Sequence, residues 1–305
     1  PYALNRYDFE AWRHWRLIEQ RLASRTWMMG DLYTIADMAV WGWSRLIPFV
    51  LVREGRLCFE RSPQLALPSA ALPYWFVPAG EHVVSRYPVA TGLLAVPAYL
   101  PALLGLYNPG RERVHELERI AAALLALGTV AFVLAFARRV LPPREAVRVA
   151  LIYAFGTSVA SILSKALWQH VGGAAGFALA LAGLLLCSGT RRAWLWLGLG
   201  CGIAVAARST NALPALLLMA AAWFAHGPRR AALAAAVSCG PIAAQLGYAR
   251  YYFGAFLGHG YGAEAQTGWS AVWSEGVLGI LLSPGRGLFV YAPLLVFAAV
   301  ALYRG

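Results

Sequence analysis

The sequence predicts an all-α fold: a polytopic helical membrane protein of about seven to nine apolar helices, preceded by a short soluble helical fragment. Three observations carry this. Hydrophobic residues make up 60% of the 305-residue chain and charged ones 13%, against about 45–50% and about 25% in soluble domains. Apolar segments recur along most of the chain. The charges between them are mostly arginines, as at the cytoplasmic ends of membrane helices. The formal net charge of +12 therefore reads as orientation in a membrane. Nucleic-acid binding is not expected, since no basic run is interleaved with exposed aromatics as single-strand binding requires.

Residues 1–29 read as a soluble amphipathic helix. Tyr7, Trp15 and Leu22 recur at helical spacing, with Arg13, Arg16, Glu19 and Arg21 between them. The opening "PYALNRYDFEAWRHW" lacks the apolar core of a signal peptide and looks like the middle of a helix. "MMGD" breaks the pattern. Thr34 then caps the next helix, and Asp37 at its third position bonds back to the Thr34 amide. Tyr33 and Met38 stand where a hydrophobic staple would be. Residues 38–52 make a poor span. They number only 15 and include Arg45 and Pro48, and a central arginine costs about 2.5–3.5 kcal/mol on insertion scales.

Residues 53–86 read as a long outer loop with Pro63, Pro68, Pro73 and Pro78, too long to be idle in a compact protein. Apolar segments then run over 87–107, 119–138, 146–165, 170–187, 193–207, 210–226, 230–250 and 287–303. The short segment 271–282 is expected at the interface. Pro88, Pro97 and Pro101 interrupt 87–107. A bent, re-entrant piece there returns the chain to the outer side and keeps the loop on that side.

From residue 119 onward the arginines alternate between two sides. One side receives Arg138, Arg139, Arg144, Arg148, Arg191, Arg192, Arg229, Arg230 and Arg304, and is expected to be cytoplasmic. The other receives Lys165, Arg208, Arg250 and Arg286 one at a time. Cations beside a membrane core are costly and default to a functional reading. With Arg86 they would suit a phosphate or pyrophosphate. His170 is a further candidate phosphate donor or base, with a helix-end histidine as the bland alternative. Trp168, Tyr251, Tyr252 and Tyr261 are either an interfacial belt or a platform for a sugar ring. A base for a hydroxyl acceptor must come from Glu54, Glu60, Glu81, Glu264 or Glu275, because no aspartate follows Asp37. Glu112, Glu116 and Glu118 lie among Arg111, Arg113 and Arg119 and read as a solvated helix face.

The four cysteines, Cys58, Cys187, Cys201 and Cys239, form no CxxC pair. They read as small packing residues, and no metal site is expected. Glycine runs such as "GLGCGIAVAA" read as close helix packing.

Two resemblances add to these readings. "LIPFVLVREGRLCFE", "VVSRYPVATGLLAVPAYLPALL", "YAFGTSVASILSKALWQH", "AARSTNALPALLL", "YYFG" and "LLSPGRGLFVYAPLL" together resemble bacterial GT-C membrane glycosyltransferases. That superfamily includes the dolichyl-phosphate-mannose–protein mannosyltransferases. The match covers about 46–305. It implies a multi-span enzyme of the inner (plasma) membrane that takes a sugar from a polyprenyl-phosphate donor on the extracytoplasmic face and gives it to a lipid or protein acceptor. It implies that Arg86, in "SRYP", contacts the donor phosphate; Lys165, His170, Arg208, Arg250 and Arg286 are the companions that the charge pattern offers. The aspartate that relatives carry in the first outer loop is absent, which leaves Glu54 or Glu81 as the base and puts activity in doubt. No cofactor is required by these residues; a divalent cation assisting the phosphate is left open.

The second resemblance covers about 1–44. "GDLYTIADMAVW" within "PYALNRYDFEAWRHWRLIEQRLASRTWMMGDLYTIADMAVWGW" resembles part of the C-terminal helical domain of bacterial glutathione S-transferases. No glutathione-binding residue carries over. The expected organisation is thus a glutathione S-transferase C-terminal-like helical fragment at 1–44 and a GT-C-like transmembrane domain at 45–305. The alternatives are a transporter or flippase of an anionic lipid, which needs the cations but no base, and a glutathione transferase.

Overall fold

A computed structural model describes residues 51, 55, 57–59, 76–104, 106, 114–186, 189–190, 192–257, 273–283, 287–291, 295–296 and 300. The chain divides into two units, Pro1–Gly42 and Trp43–Gly305. The first, with its Thr34 and Asp37, lies outside the described residues. The second is predominantly helical.

Its first described strands form a β-hairpin within the 53–86 stretch that reads as a loop in the sequence. β1 (Phe76–Ala79) pairs antiparallel with β2 (His82–Ser85), with Ala79 opposite His82. That register leaves a two-residue turn, Gly80-Glu81. Gly80 adopts φ 62°, and a glycine at the first central position is what a type II′ turn asks for. The Phe59 N–H donates to the Val83 carbonyl at 2.7 Å, and Cys58 bridges Val84.

α1 (Ala90–Leu103) follows. Pro97 and Pro101 lie within it, and the helix runs through both rather than breaking where the sequence suggested. Its end is adjusted by an i→i−5 bond from the Leu106 N–H to the Pro101 carbonyl. At about 21 Å it is too short to cross a bilayer upright. Its two halves pack at the same end of the bundle. Thr91 abuts Gly172, while Ala95 and Tyr99 are buried with Leu117, Ala121 and Leu167.

The helices after it are α2 (Val114–Val140), α3 (Pro143–Gly156), α4 (Gln169–Leu181), α5 (Arg192–Ala207), α6 (Ala212–His226), α7 (Pro228–Phe253), α8 (Trp273–Leu282) and the short α9 (Leu288–Tyr291). A π-turn at Ala182–Leu186 extends α4, and another, Val159–Leu163, follows α3 after the extended Thr157. α3 and α7 start on prolines at their first turns, where the missing N–H costs nothing. Gly254, at φ 75°, closes α7 in the left-handed conformation. Among the described residues, three helical stretches are long and apolar enough to cross a membrane: Glu116–Val140, Gln169–Leu186 and Pro228–Phe253. That is fewer than the seven to nine expected. Ala90–Pro101 and Arg192–Ala207 are apolar but shorter.

α5 is the strut between α4 and α7, and its glycines explain why. A Cβ on Gly198 would meet Val237 Cβ at 2.8 Å, and one on Gly202 the Ser238 carbonyl at 2.6 Å. On the opposite face, a Cβ on Gly176 of α4 would meet the Gly200 carbonyl at 2.7 Å and the Ala204 nitrogen at 2.8 Å. Gly198-x-x-x-Gly202 thus seats α7, and Gly200-x-x-x-Ala204 seats α4. This is the small-residue packing that membrane helices use in place of hydrophobic drive. Leu197 and Cys201 are buried beside them. Cys58 is also buried, whereas Cys239 is exposed on α7; Cys187 lies outside the described residues.

Candidate functional site

The helices sort their ends into two groups. At one end, Arg139 of α2 donates from Nη1 to the Leu185 carbonyl at 3.2 Å and from Nη2 to that of Leu186 at 2.6 Å. Trp194 of α5 meets His226 of α6 edge-on, ring centroids 5.0 Å apart. Arg230 of α7 lies 5.6 Å over the Trp194 ring. Arg138, Arg144, Arg148, Arg192 and Arg229 belong to this same end and are exposed. The sequence placed them together.

The opposite end carries the hairpin, the starts of α1, α2 and α4, and the junctions after α5 and α7. Two polar groups form there. In the first, Arg208 Nη1 lies 3.0 Å from His170 Nδ1. Arg208 is extended backbone between α5 and a 3-10 turn, Ser209–Asn211. His170 is the second residue of α4. Asn211 Nδ2 donates to the Ala204 carbonyl at 2.9 Å and stands where a Cβ on Gly173 would be, 2.6 Å away. Thr91 Oγ1 makes a long 3.5 Å bond to the Gln169 carbonyl. Gly172 and Gly173 thus make room for Thr91 and Asn211, and set the start of α4 against α1 and α6.

The second group joins the hairpin to the end of α7. Tyr248 is buried with Phe59 and Val89. His82 meets Tyr252 edge-on at 5.6 Å, and Tyr252 is edge-on to Tyr251 at 4.8 Å. The Tyr87 N–H donates to Ser85 Oγ at 3.1 Å, which fixes the turn holding the half-buried Arg86. The Val89 N–H donates to Gln245 Oε1 at 3.3 Å. Val89 and Thr91 are two residues apart, so α1's first turn links the two groups.

Of the expected cations, Arg86, Lys165, Arg208 and Arg250 all lie at this end, with Lys165 and Arg250 exposed. Arg208 and His170 are brought into contact with one another. Glu81 is exposed at the tip of the hairpin turn, with the length of β2 between it and Arg86. Trp168 precedes α4 in extended conformation, on a different element from Tyr251 and Tyr252. The tyrosines cross edge-on and offer edges rather than one flat face. Glu54, Glu60, Glu112, Glu264, Arg286 and Tyr261 lie outside the described residues. No cluster of three metal-ligating side chains occurs among the described residues.

One reading needs correction. Glu118 is not on a solvated face. It is 3% exposed, and its Oε1 accepts the Leu167 N–H at 3.2 Å. The arginines flanking it in sequence suggested solvent, but helix geometry places it otherwise. Ala121, Ala122, Ala126 and Thr129 are all buried, three, four, eight and eleven residues further along α2. That stripe of small residues, visible in the sequence, contains Glu118.

No known protein family matches the chain as a whole, and no solved structure matches it. Two curated proteins share a short stretch with it. Disulfide-bond oxidoreductase YghU of Escherichia coli (strain K12) is 48% identical over 42 residues, 14% of this chain and 15% of that protein. Disulfide-bond oxidoreductase YfcG of the same strain is 42% identical over 43 residues, 14% of this chain and 20% of that protein. The chain therefore spans no more than a fifth of either relative. These matches support the short soluble-fragment resemblance. Neither relative is a glycosyltransferase by name.

Proposed function

We propose that the bundle is a membrane glycosyltransferase of the GT-C type. It takes a sugar from a polyprenyl-phosphate donor at the extracytoplasmic face of the inner membrane, in a domain of seven to nine spans. The observation that carries this reading is the Arg208–His170 pair at 3.0 Å, set at the end that also bears Arg86, Lys165 and Arg250. A guanidinium spent on a neutral ring rather than a carboxylate keeps its charge for an anion. Among the described contacts, no carboxylate is paired with Arg208. A phosphate entering there would find Arg208 first, with Arg86, Lys165, Arg250 and Arg286 as further cations. Trp168, Tyr251 and Tyr252 would face the sugar, and Glu54 or Glu81 would take the acceptor's proton. The fragment at 1–44 contributes no thiol chemistry in this reading, and a conjugation assay with free glutathione should show no turnover.

The test is binding of undecaprenyl phosphate to the protein in nanodiscs, followed by transfer from a polyprenyl-phosphate sugar. Arg208→Ala should weaken binding at least about tenfold, near 1.4 kcal/mol. Arg229→Ala, at the other end, should leave it unchanged. Equal effects from both would reject the site. The exposure of Glu81 at a turn tip favours a second reading, an anionic-lipid transporter without a base. Lipid movement that survives Glu54→Gln and Glu81→Gln, with no sugar transferred, would select it.

A further inference from the structure

Glu118 is a buried carboxylate that none of the roles above uses. Burying a charged group is expensive unless it is hydrogen-bonded, so its position at 3% exposure needs a return. The bond from the Leu167 N–H supplies one, because of where Leu167 sits. Leu167 is 1% exposed and lies in the connection between the Val159–Leu163 π-turn and α4. That connection carries Lys165 and Trp168, and His170 follows it in the first turn of α4. Three of its backbone bonds are local: Ser164 N–H to the Val159 carbonyl at 3.0 Å, Lys165 N–H to the Ile162 carbonyl at 3.1 Å, and Trp168 N–H to the Ala166 carbonyl at 2.8 Å. Glu118 comes from α2, 49 residues away in sequence, and reaches across to it. Around it, Ala95 and Tyr99 of α1 pack with Leu117, Ala121 and Leu167.

We infer that Glu118 is a positioning residue: through the Leu167 N–H it locks the 164–168 connection to α2 and thereby sets Lys165, Trp168 and His170 at the hairpin end of the bundle. That this segment serves a phosphate site rests on the function proposed above; that Glu118 holds it does not. Glutamine keeps an acceptor oxygen at the same reach and should substitute. Alanine leaves the buried N–H unsatisfied, and aspartate withdraws the carboxylate by one methylene.

The experiment is carried out on the full chain in nanodiscs, with the four cysteines changed to alanine and Leu167→Cys added. Maleimide labelling at position 167 reads the lock, and undecaprenyl phosphate binding reads its consequence. Glu118→Ala should speed labelling at least about tenfold, the scale expected for leaving a buried N–H unsatisfied, and should weaken binding. Glu118→Gln should restore slow labelling and binding. If Glu118→Ala does not accumulate in the membrane, Glu118→Asp gives the same reading with a smaller rise. Labelling that stays slow in Glu118→Ala or Glu118→Asp, or that is as fast in Glu118→Gln as in Glu118→Ala, overturns the inference. Fast labelling with unchanged phosphate binding upholds the lock and rejects the phosphate site.

Discussion

The two ends of the bundle use arginine in opposite ways. At one end arginines are numerous and exposed, and those with partners use backbone carbonyls, an aromatic face or, for Arg148, the exposed carboxylate of Glu145. Arg139 covers the carbonyls that the π-turn after α4 leaves open, and Arg230 rests over Trp194. At the other end the cations come singly, from separate elements, among buried polar groups. Arg208 meets an imidazole, Thr91 and Asn211 fill spaces opened by glycines, and Glu118 is sunk between α1, α2 and the 164–168 connection. The first pattern is what a helix end facing anionic headgroups needs. The second orders polar groups against each other, and ordering of that kind is costly unless a ligand or a fold requires it. The contrast teaches that a positive charge identifies a site only through its company.

The largest expected effect breaks both ends at once. α5 connects them, and Gly198 has no room for a side chain against Val237 and the Ala234 carbonyl. Gly198→Val should prevent α5 and α7 from seating, an overpacking penalty of about 1–3 kcal/mol or more. Detergent-extracted protein should elute as aggregate in size exclusion. Gly240→Ala, with open space around it, should elute as the wild type does. A smaller effect separates the ends. Arg139→Ala should lower the melting temperature by an amount equivalent to about 0.5–1.5 kcal/mol, without changing undecaprenyl phosphate binding. The smallest is at the surface. Glu145 and Arg148 pair at 2.7 Å, three residues apart on α3, with side chains 48% and 69% exposed. Arg148→Ala should shift stability by less than about 0.5 kcal/mol, within the error of a thermal melt.

Much of this arrangement was legible in the residues. Segment positions followed from apolar runs, because burial and lipid impose the same composition. "GLGCGIAVAA" foretold close packing, though not that α5 carries two glycine faces, one for each neighbour. The sorting of arginines followed from their spacing along the chain. What stayed hidden depended on contacts distant in sequence. The hairpin lay in a proline-rich stretch whose only strand signal was the Gly80-Glu81 turn. The helix through Pro97 and Pro101 contradicts local propensity, which buried packing against α2 overrides. Glu118 reads as solvated from its charged neighbours in sequence, whereas the small-residue stripe on its own face decides its burial. Its partner, the Leu167 N–H, leaves no trace in side-chain identity.

The central claim is that Lys165, Arg208 and Arg250 share one side of the membrane and Arg144 and Arg229 the other. Single cysteines at these five positions, in a cysteine-free background, should be tested with a membrane-impermeant maleimide on intact cells. The account predicts labelling at 165, 208 and 250, and at 144 and 229 only after the cells are opened. Labelling of 208 and 229 from the same side would contradict it.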